Sequence, residues 1–469
     1  MLNLKLSRVD FISVFVLSVV LYSLSSISLF GLKDTIDRQS QDLFNILLGK
    51  YVYPLEGRSE YSVVLITEST LTQKGLQNSW PYSPDSYAVL LESILALKPK
   101  SLFIDIQWKS METGEGECNK RSVVDYNRLI QTLTFYEEDD ITVYLASSGS
   151  NETGSCRLPK EILALVEPVS VELANSKFDG ISRSYQFESN GLPSAALAVC
   201  KEHFKTNCGT ENRKTMDVIW GMQTNPLNDW MEGASDNQAA TDYSLGASFF
   251  AKGKQAIGST RPYSNYLLAE DIVNRLSDDQ DVPNQDAAAY DELKVRINEK
   301  HIFLGANIIA SGDYVFSPNG QVRPGVFYHA MAFDNLISYG DGFKDKESTL
   351  VRDLLKYLTI LVLSFISVVY AKAIKGTDVH GILAAYNTGR LKRLQGMGAI
   401  LKPMFWFVIF SAVTIFISSA LSFYILDQAP STWLSYIGFV FIGVYASKME
   451  MANKLCNTFI YIFRGDIRS

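Results

Sequence analysis

The residues of this sequence best placed to do chemistry are polar side chains at the ends of apolar runs. Glu68 follows the run Ser62–Thr67, Asp105 falls inside Ser101–Trp108, and Asn307 follows His301–Ala306. In an open α/β sheet, ligands sit beyond the carboxyl ends of the strands, so a carboxylate or amide just past such a run is placed to bind one. Asp105 with His329 would form an acid–base couple. No serine or cysteine stands in a recognisable nucleophile elbow to extend that couple into a hydrolase, so no catalytic residue is assigned and no enzyme activity is expected. The five cysteines show no CxxC spacing, no HxxxH pair occurs, and His203 and His301 read as isolated. Neither a metal site nor a cofactor is expected.

The elements that must position these residues alternate. Ser62–Thr67, Ser101–Trp108, Ile141–Ala146 and His301–Ala306 are short, β-rich apolar runs. Between and after them, Tyr87–Leu97, Val123–Phe135 and Gly325–Ser338 repeat apolar residues at helical spacing, and Pro99 stops the first. Strands apolar on both faces with helices between them imply an α/β fold: a three-layer, mostly parallel sheet. The stretches 109–120, 223–240 and 277–290 are rich in Gly, Asn and Asp and read as solvent-facing insertions.

Charge and hydropathy divide the chain of 469 residues. Its net charge of −7 hides +1 in residues 1–30, −15 in 31–349 and +7 in 350–469. The basic part is too small and too interrupted by apolar runs for nucleic acid. Four apolar runs predict four transmembrane helices: Val9–Phe30, Leu354–Ala371, Met404–Leu426 and Ser431–Ser447. The first is long for a signal peptide, and Ser25-Ser26-Ile27-Ser28-Leu29 is a poor small-x-small cleavage site. The segment 372–403 carries Lys372, Lys375, Arg390, Lys392, Arg393 and Lys402 against Asp378 alone, and the tail 448–469 is also basic. The positive-inside rule then places both termini in the cytoplasm of a multi-pass inner-membrane protein, with 31–349 periplasmic or extracellular. The expected division is an anchor at 1–30, the outer domain at 31–349, three spans at 350–447 with a cytoplasmic loop at 372–403, and a tail at 448–469. Leu32, Ile36, Leu43, Phe44 and Leu47 interleave with Asp34, Asp37, Arg38 and Asp42, as in a membrane helix extended into the outer domain or an amphipathic packing helix. Cys118, Cys156, Cys200 and Cys208 lie in the outer segment, where disulfides form; Cys200 with Cys208 and Cys118 with Cys156 are the expected pairs.

Three ordered motifs carry a family resemblance. The first is Trp80-Pro81-Tyr82, then Tyr87-Ala88 with Leu90-Leu91, then Pro99-Lys100-Ser-Leu-Phe-Ile-Asp105-Ile106. The second is Asp179-Gly180-Ile181-Ser182-Arg183 with Leu192-Pro193-Ser194-Ala195-Ala196-Leu197-Ala198. The third is Phe303-Leu-Gly305-Ala306, Gly312-Asp313, Ser317-Pro318 and Pro324-Gly325-Val326 with His329-Ala330 and Asp334-Asn335-Leu336. The chain resembles the second class of CHASE domains, extracellular sensory modules attached to bacterial cyclases and histidine kinases. The family's layout, one span before the domain and about three after it, is similar. Two positions depart: Pro84 stands where relatives carry arginine, and Phe327 where they carry an acid. Only a short tail follows the last span, so no kinase or cyclase output is expected in this chain.

The resemblance implies that Trp80, Arg183, Asp313 and His329, from the motif loops, join Glu68, Asp105 and Asn307 as ligand-binding candidates. Each also has a structural reading: Trp80-Pro81 as a packing turn, Gly325 as a helix entry, Asp313 as a turn or cap residue. It further implies a bacterial transmembrane sensor for an extracytoplasmic ligand that signals to a separate cytoplasmic partner, as a monomer or a homodimer. Arg390, Lys392 and Arg393, in a short basic amphipathic segment, are the candidate contacts for that partner or for membrane lipid. A pore or membrane effector gated by the outer domain is the alternative, drawing on Ser411, Thr414, Ser418, Ser419 and Ser422; an ectoenzyme is the third class.

Overall fold

The computed structural model of the protein describes residues 7–26, 32–73, 80–108, 126–147, 158–173, 179–205, 213–221, 263–277, 286–318, 321–344, 350–375, 390–427 and 435–438, with a few isolated positions between them. The chain forms two compact units, residues 43–345 and residues 1–42 with 346–469.

Helices α1 (Arg8–Ser26) and α2 (Leu32–Val52) lead to strand β1 (Tyr61–Thr67), helix α3 (Pro84–Leu95), β2 (Ser101–Ile104), α4 (Asn127–Glu138), β3 (Thr142–Ser147), α5 (Lys160–Leu165) and β4 (Glu167–Ser170). Short strands β5 (Ser184–Gln186), β6 (Glu188–Ser189) and β7 (Leu192–Pro193) precede α6 (Ala195–Phe204) and β8 (Thr215–Asp217). Then come β9 (Tyr266–Leu268), α7 (Ala269–Ser277), α8 (Asp286–Ile297), β10 (His301–Asn307), β11 (Tyr314–Phe316), β12 (Val322–Pro324) and α9 (Val326–Tyr339). The chain ends, among the described residues, with α10 (Leu350–Lys375), α11 (Arg390–Tyr424) and a helical stretch at 435–438.

Six strands form one sheet in the order β4-β3-β2-β10-β1-β9, and every neighbouring pair is parallel. β10 is the centre of the register: His301 stands opposite Tyr61 on one side and Ser101 on the other. Both faces are covered, as an all-parallel sheet requires. On one, Val64, Ile66, Leu102, Ile104, Ile302 and Leu304 join a core with residues of α3, α4, α7 and α8. On the other, an aromatic stack runs from Tyr61 and Phe103 through Phe303 to Phe333 on α9. The α/β architecture predicted from the runs is therefore the observed one. Sequence placed β2 four residues too long, because its apolar character continues through Ile106 after the ladder has ended.

Local chemistry explains the starts of the helices that matter. Ser83 accepts the Ser86 N–H at 3.2 Å as the cap of α3, and Pro84 occupies its first turn, where the missing N–H costs nothing. α9 is buried from Val326 to Leu336, so its polar side chains need internal partners. Asn335 accepts from the Ile219 N–H at 3.0 Å and donates to the Ile219 carbonyl at 2.9 Å and the Tyr53 hydroxyl at 3.0 Å. Tyr53 in turn donates to Asp334 at 2.6 Å. Cys200 and Cys208 are disulfide-bonded, as expected; Cys118 and Cys156 lie outside the described residues.

The two histidines that read as isolated are neighbours in space. His203 Nδ1 lies 3.2 Å from His301 Nε2, and Ser101 Oγ lies 2.7 Å from His301 Nδ1, at the amino ends of β2 and β10. Parallel register brings Ser101 beside His301, and α6 carries His203 to the same place, neither of which spacing can reveal. Burial lowers both imidazoles, His301 to about 3. Among the described residues no group of three or more His, Cys, Asp or Glu is arranged to hold a metal.

In the other unit, two helices are long and apolar enough to cross a membrane, Asp353–Lys372 in α10 and Phe405–Tyr424 in α11. The apolar part of α1, Asp10–Ser23, is shorter, and the predicted fourth span, Ser431–Ser447, lies outside the described residues apart from 435–438. The four-span expectation is thus met for two helices. Leu21, Ile360, Leu363 and Phe407 pack together, Tyr370 stacks on Phe407 at 4.4 Å, and Lys372 Nζ meets Asp10 at 2.6 Å. The segment read as a loop to residue 403 is helical from Arg390, because its Arg, Leu, Lys and Gln residues are good helix formers.

Candidate functional site

A cavity of about 530 Å³ opens at the carboxyl ends of the parallel strands. Its floor is the run Asp105–Ile106–Gln107 after β2, with Ala306 at the end of β10; Ala146 of β3 and Val171 and Leu173 after β4 form one side, Trp80 and Pro81 another, and Ser311, Asp313 and His329 close it. That volume is in the range of small-molecule sites.

Asp105 reaches the site through strand alternation. Its N–H bonds the Leu304 carbonyl at 2.7 Å, one residue past β2, and its side chain follows Phe103 onto the α9 face. Phe103 meets the His329 ring with centroids 5.4 Å apart, and Asp105 Oδ1 lies 3.8 Å from His329 Nε2. The Asp105 side chain is 7% exposed, and its Oδ2 has no hydrogen-bond partner.

His329 is held from behind. Tyr185 Oη accepts from the Ala196 N–H at 3.2 Å, which leaves its proton for His329 Nδ1 at 2.7 Å. That assignment puts the imidazole hydrogen on Nε2, facing Asp105. Burial lowers the His329 pKa to about 3, so the ring is neutral.

Asp313 arrives by a turn after β10. Gly312 adopts φ +65°, a left-handed conformation that favours glycine, and the Asp313 carbonyl then accepts from the Gly325 N–H at 3.0 Å. The Asp313 carboxylate lies directly over Gly325, where any Cβ would overlap it. Burial raises Asp313 to about 6. Asp105 is raised well above the ordinary carboxylate range, first by burial and then by the charge of Asp313.

Of the seven predicted ligand residues, the structure brings together Trp80, Asp105, Asp313 and His329. Glu68 is exposed beyond β1, and Asn307 accepts from Tyr314 Oη at 3.2 Å; neither lines the cavity. Arg183 makes a two-point ion pair with Asp179, at 3.0 and 2.9 Å, four residues away. Its guanidinium ties the loop before β5 and does not line the cavity. Arg390, Lys392 and Arg393 lie in the first turn of α11. Sequence reasoning passed over Tyr185, which falls between the two parts of the second motif, and Val171 and Leu173, which follow a strand that was not predicted.

The sequence model of one family, described as the CHASE2 domain, matches residues 14–369. No curated protein and no solved structure matches the chain.

The half-buried acid at 313 generates a pH prediction. A carboxyl whose folded pKa is raised binds its proton more tightly in the folded state. Its stabilising contribution is therefore fully present below the ordinary value of 3.8 and is lost as pH rises through about 6. Asp313→Asn has no such loss. The variant is expected to match wild type in thermal unfolding near pH 4 and to exceed it by about 1–3 kcal/mol above pH 6. A difference independent of pH would show that Asp313 does not titrate in this range.

Proposed function

The chain belongs to the CHASE2 domain family, a family of extracellular sensory domains, and we propose from that premise that it is a membrane-anchored sensor whose outer domain takes a small ligand into the cavity at the sheet edge. One observation carries the reading: Asp105, buried at the cavity floor, leaves Oδ2 without a partner inside the protein. Buried polar atoms are nearly always satisfied, and in a cavity the missing partner is a ligand's to supply.

The relay begins on α9. His329 lines the cavity near the start of this helix, and Asp334 and Asn335, one to two turns later, hold Tyr53, the residue that follows α2. A ligand that shifts His329 acts on a helix with no free face, so the displacement passes to Tyr53 and the end of α2. α2 is the segment that joins the first apolar helix to the domain.

The orientation proposed is both termini in the cytoplasm, four spans in the inner membrane and residues 31–349 outside. The ion pair of Asp10 with Lys372 supports it: the amino end of α1 and the carboxyl end of α10 lie together, as they must if both face the cytoplasm. The signal passes to a separate cytoplasmic protein, and Arg390, Lys392 and Arg393 are the proposed contact. The serines and threonines of the spans favour packing over a pore: Thr359 and Ser418 share a hydrogen bond of 2.7 Å between α10 and α11, and Thr414 bonds its own helix at Phe410.

Two experiments test this reading. Reporter enzymes active only outside the cytoplasm are expected to work when fused after residue 220 and to fail after residues 385 and 465. Activity after 385 contradicts the orientation. Reversing Arg390, Lys392 and Arg393 to Glu is expected to leave the membrane level unchanged and to abolish the partner's response. An undiminished response excludes this turn as the contact.

A further inference from the structure

The cavity holds a buried carboxyl group, Asp105, and a half-buried one, Asp313, and among the described residues that line it the only basic side chain is His329, which is neutral. Asp105 Oδ1 faces the His329 Nε2 hydrogen at 3.8 Å, too long for a hydrogen bond, and Oδ2 faces nothing. Asp313 lines the same cavity, and its charge is felt at Asp105. A carboxylate pair with one buried member and no counter-charge is unstable, and a proton or a cation neutralises it.

The remaining walls restrict what that cation is. Trp80, Pro81, Ile106, Val171 and Leu173 are apolar and make up much of the lining. A bare, fully hydrated ion gains nothing from them, whereas an apolar body does, and an indole ring is the best aromatic neighbour for an organic cation. A divalent metal fits poorly. It would need ligands beyond the two carboxylates, and His329 offers a hydrogen there because its other nitrogen accepts from Tyr185. An anion would meet two acids and no base.

We propose that the cavity binds a small organic cation, an ammonium group carried on an apolar body, with the ammonium at Asp105 and Asp313 and the body against the wall formed by Trp80 and its apolar neighbours. The proposal rests on the reading of this cavity as the sensor's ligand site and names the class of ligand it takes. In the empty site a proton on Asp105, the more deeply buried of the two acids and the one burial raises well above the ordinary carboxylate range, takes the place of the cation.

The test uses the full chain in detergent or nanodiscs and three probes that share a phenyl ring and differ in the head group: phenethylamine, phenethyl alcohol and phenylpropionate. Calorimetry at neutral pH is expected to show phenethylamine binding about tenfold or more tighter than either of the others, the size of a charge-assisted hydrogen bond. Asp105→Asn and Asp313→Asn, each first shown to unfold cooperatively, are expected to lose about tenfold in amine affinity. If one variant fails to fold, the other carries the test. Alcohol or carboxylate binding as tight as the amine, and lost in Asp105→Leu, overturns the cationic ligand while leaving the cavity as the sensor's site. Calcium or magnesium binding that displaces the amine, unchanged amine affinity in both Asn variants, or no amine binding overturns it as well.

Discussion

The unit of residues 43–345 depends on one constraint, a helix buried on every side. α9 lies against the central strand of the sheet, and every residue from Val326 to Leu336 is buried. Two glycines make room for it. A Cβ at Gly305 in β10 would stand 2.5 Å from the Val326 Cβ, and one at Gly325 would strike the Asp313 carboxylate. Interiors packed this closely do not deform continuously; they shift as blocks. The polar residues of α9 therefore mark where it is held: His329 at the cavity, Asp334 and Asn335 at Tyr53 and the segment around Ile219.

The cavity follows from how the sheet ends. β2 stops at Ile104 and β10 at Asn307, and the chain leaves both strands beneath the start of α9. Asp105 is carried past the ladder by a single further hydrogen bond, and Asp313 is turned back by Gly312. Two acids thus share a space that apolar residues close, in the place where open parallel sheets bind their ligands. Asp334 repeats the theme at the far end of α9. Burial raises it to about 7, opposed by the hydrogen bonds from Tyr53 and Ser338.

Much of this was legible in the sequence for physical reasons. β1, β3 and β10 are apolar on both faces and bounded by breakers, so their runs marked them. The rule that ligands gather past strand ends singled out Asp105, and the third motif supplied Asp313 and His329. The same rule failed for Glu68, which is exposed because the turn after β1 carries Thr67, Ser69 and Thr70, rather than Glu68, to Glu270. Arg183 pairs with the local Asp179 and does not line the cavity, a contact that the motif gave no sign of. β4 and β9 were not foreseen: each is an edge strand of a few residues, too short to show a period. The pairing of His203 with His301 comes from the packing of α6 against the start of β10 and has no trace in spacing.

Hydrogen exchange on the full chain, comparing wild type with Asp105→Asn at neutral pH, tests most directly whether the cavity is coupled through α9 to α2. Coupling through a buried helix predicts altered protection both along Val326–Leu336 and at residues 43–53, away from the substitution. A change confined to Asp105 and the other cavity residues, with 43–53 exchanging as in wild type, would contradict it.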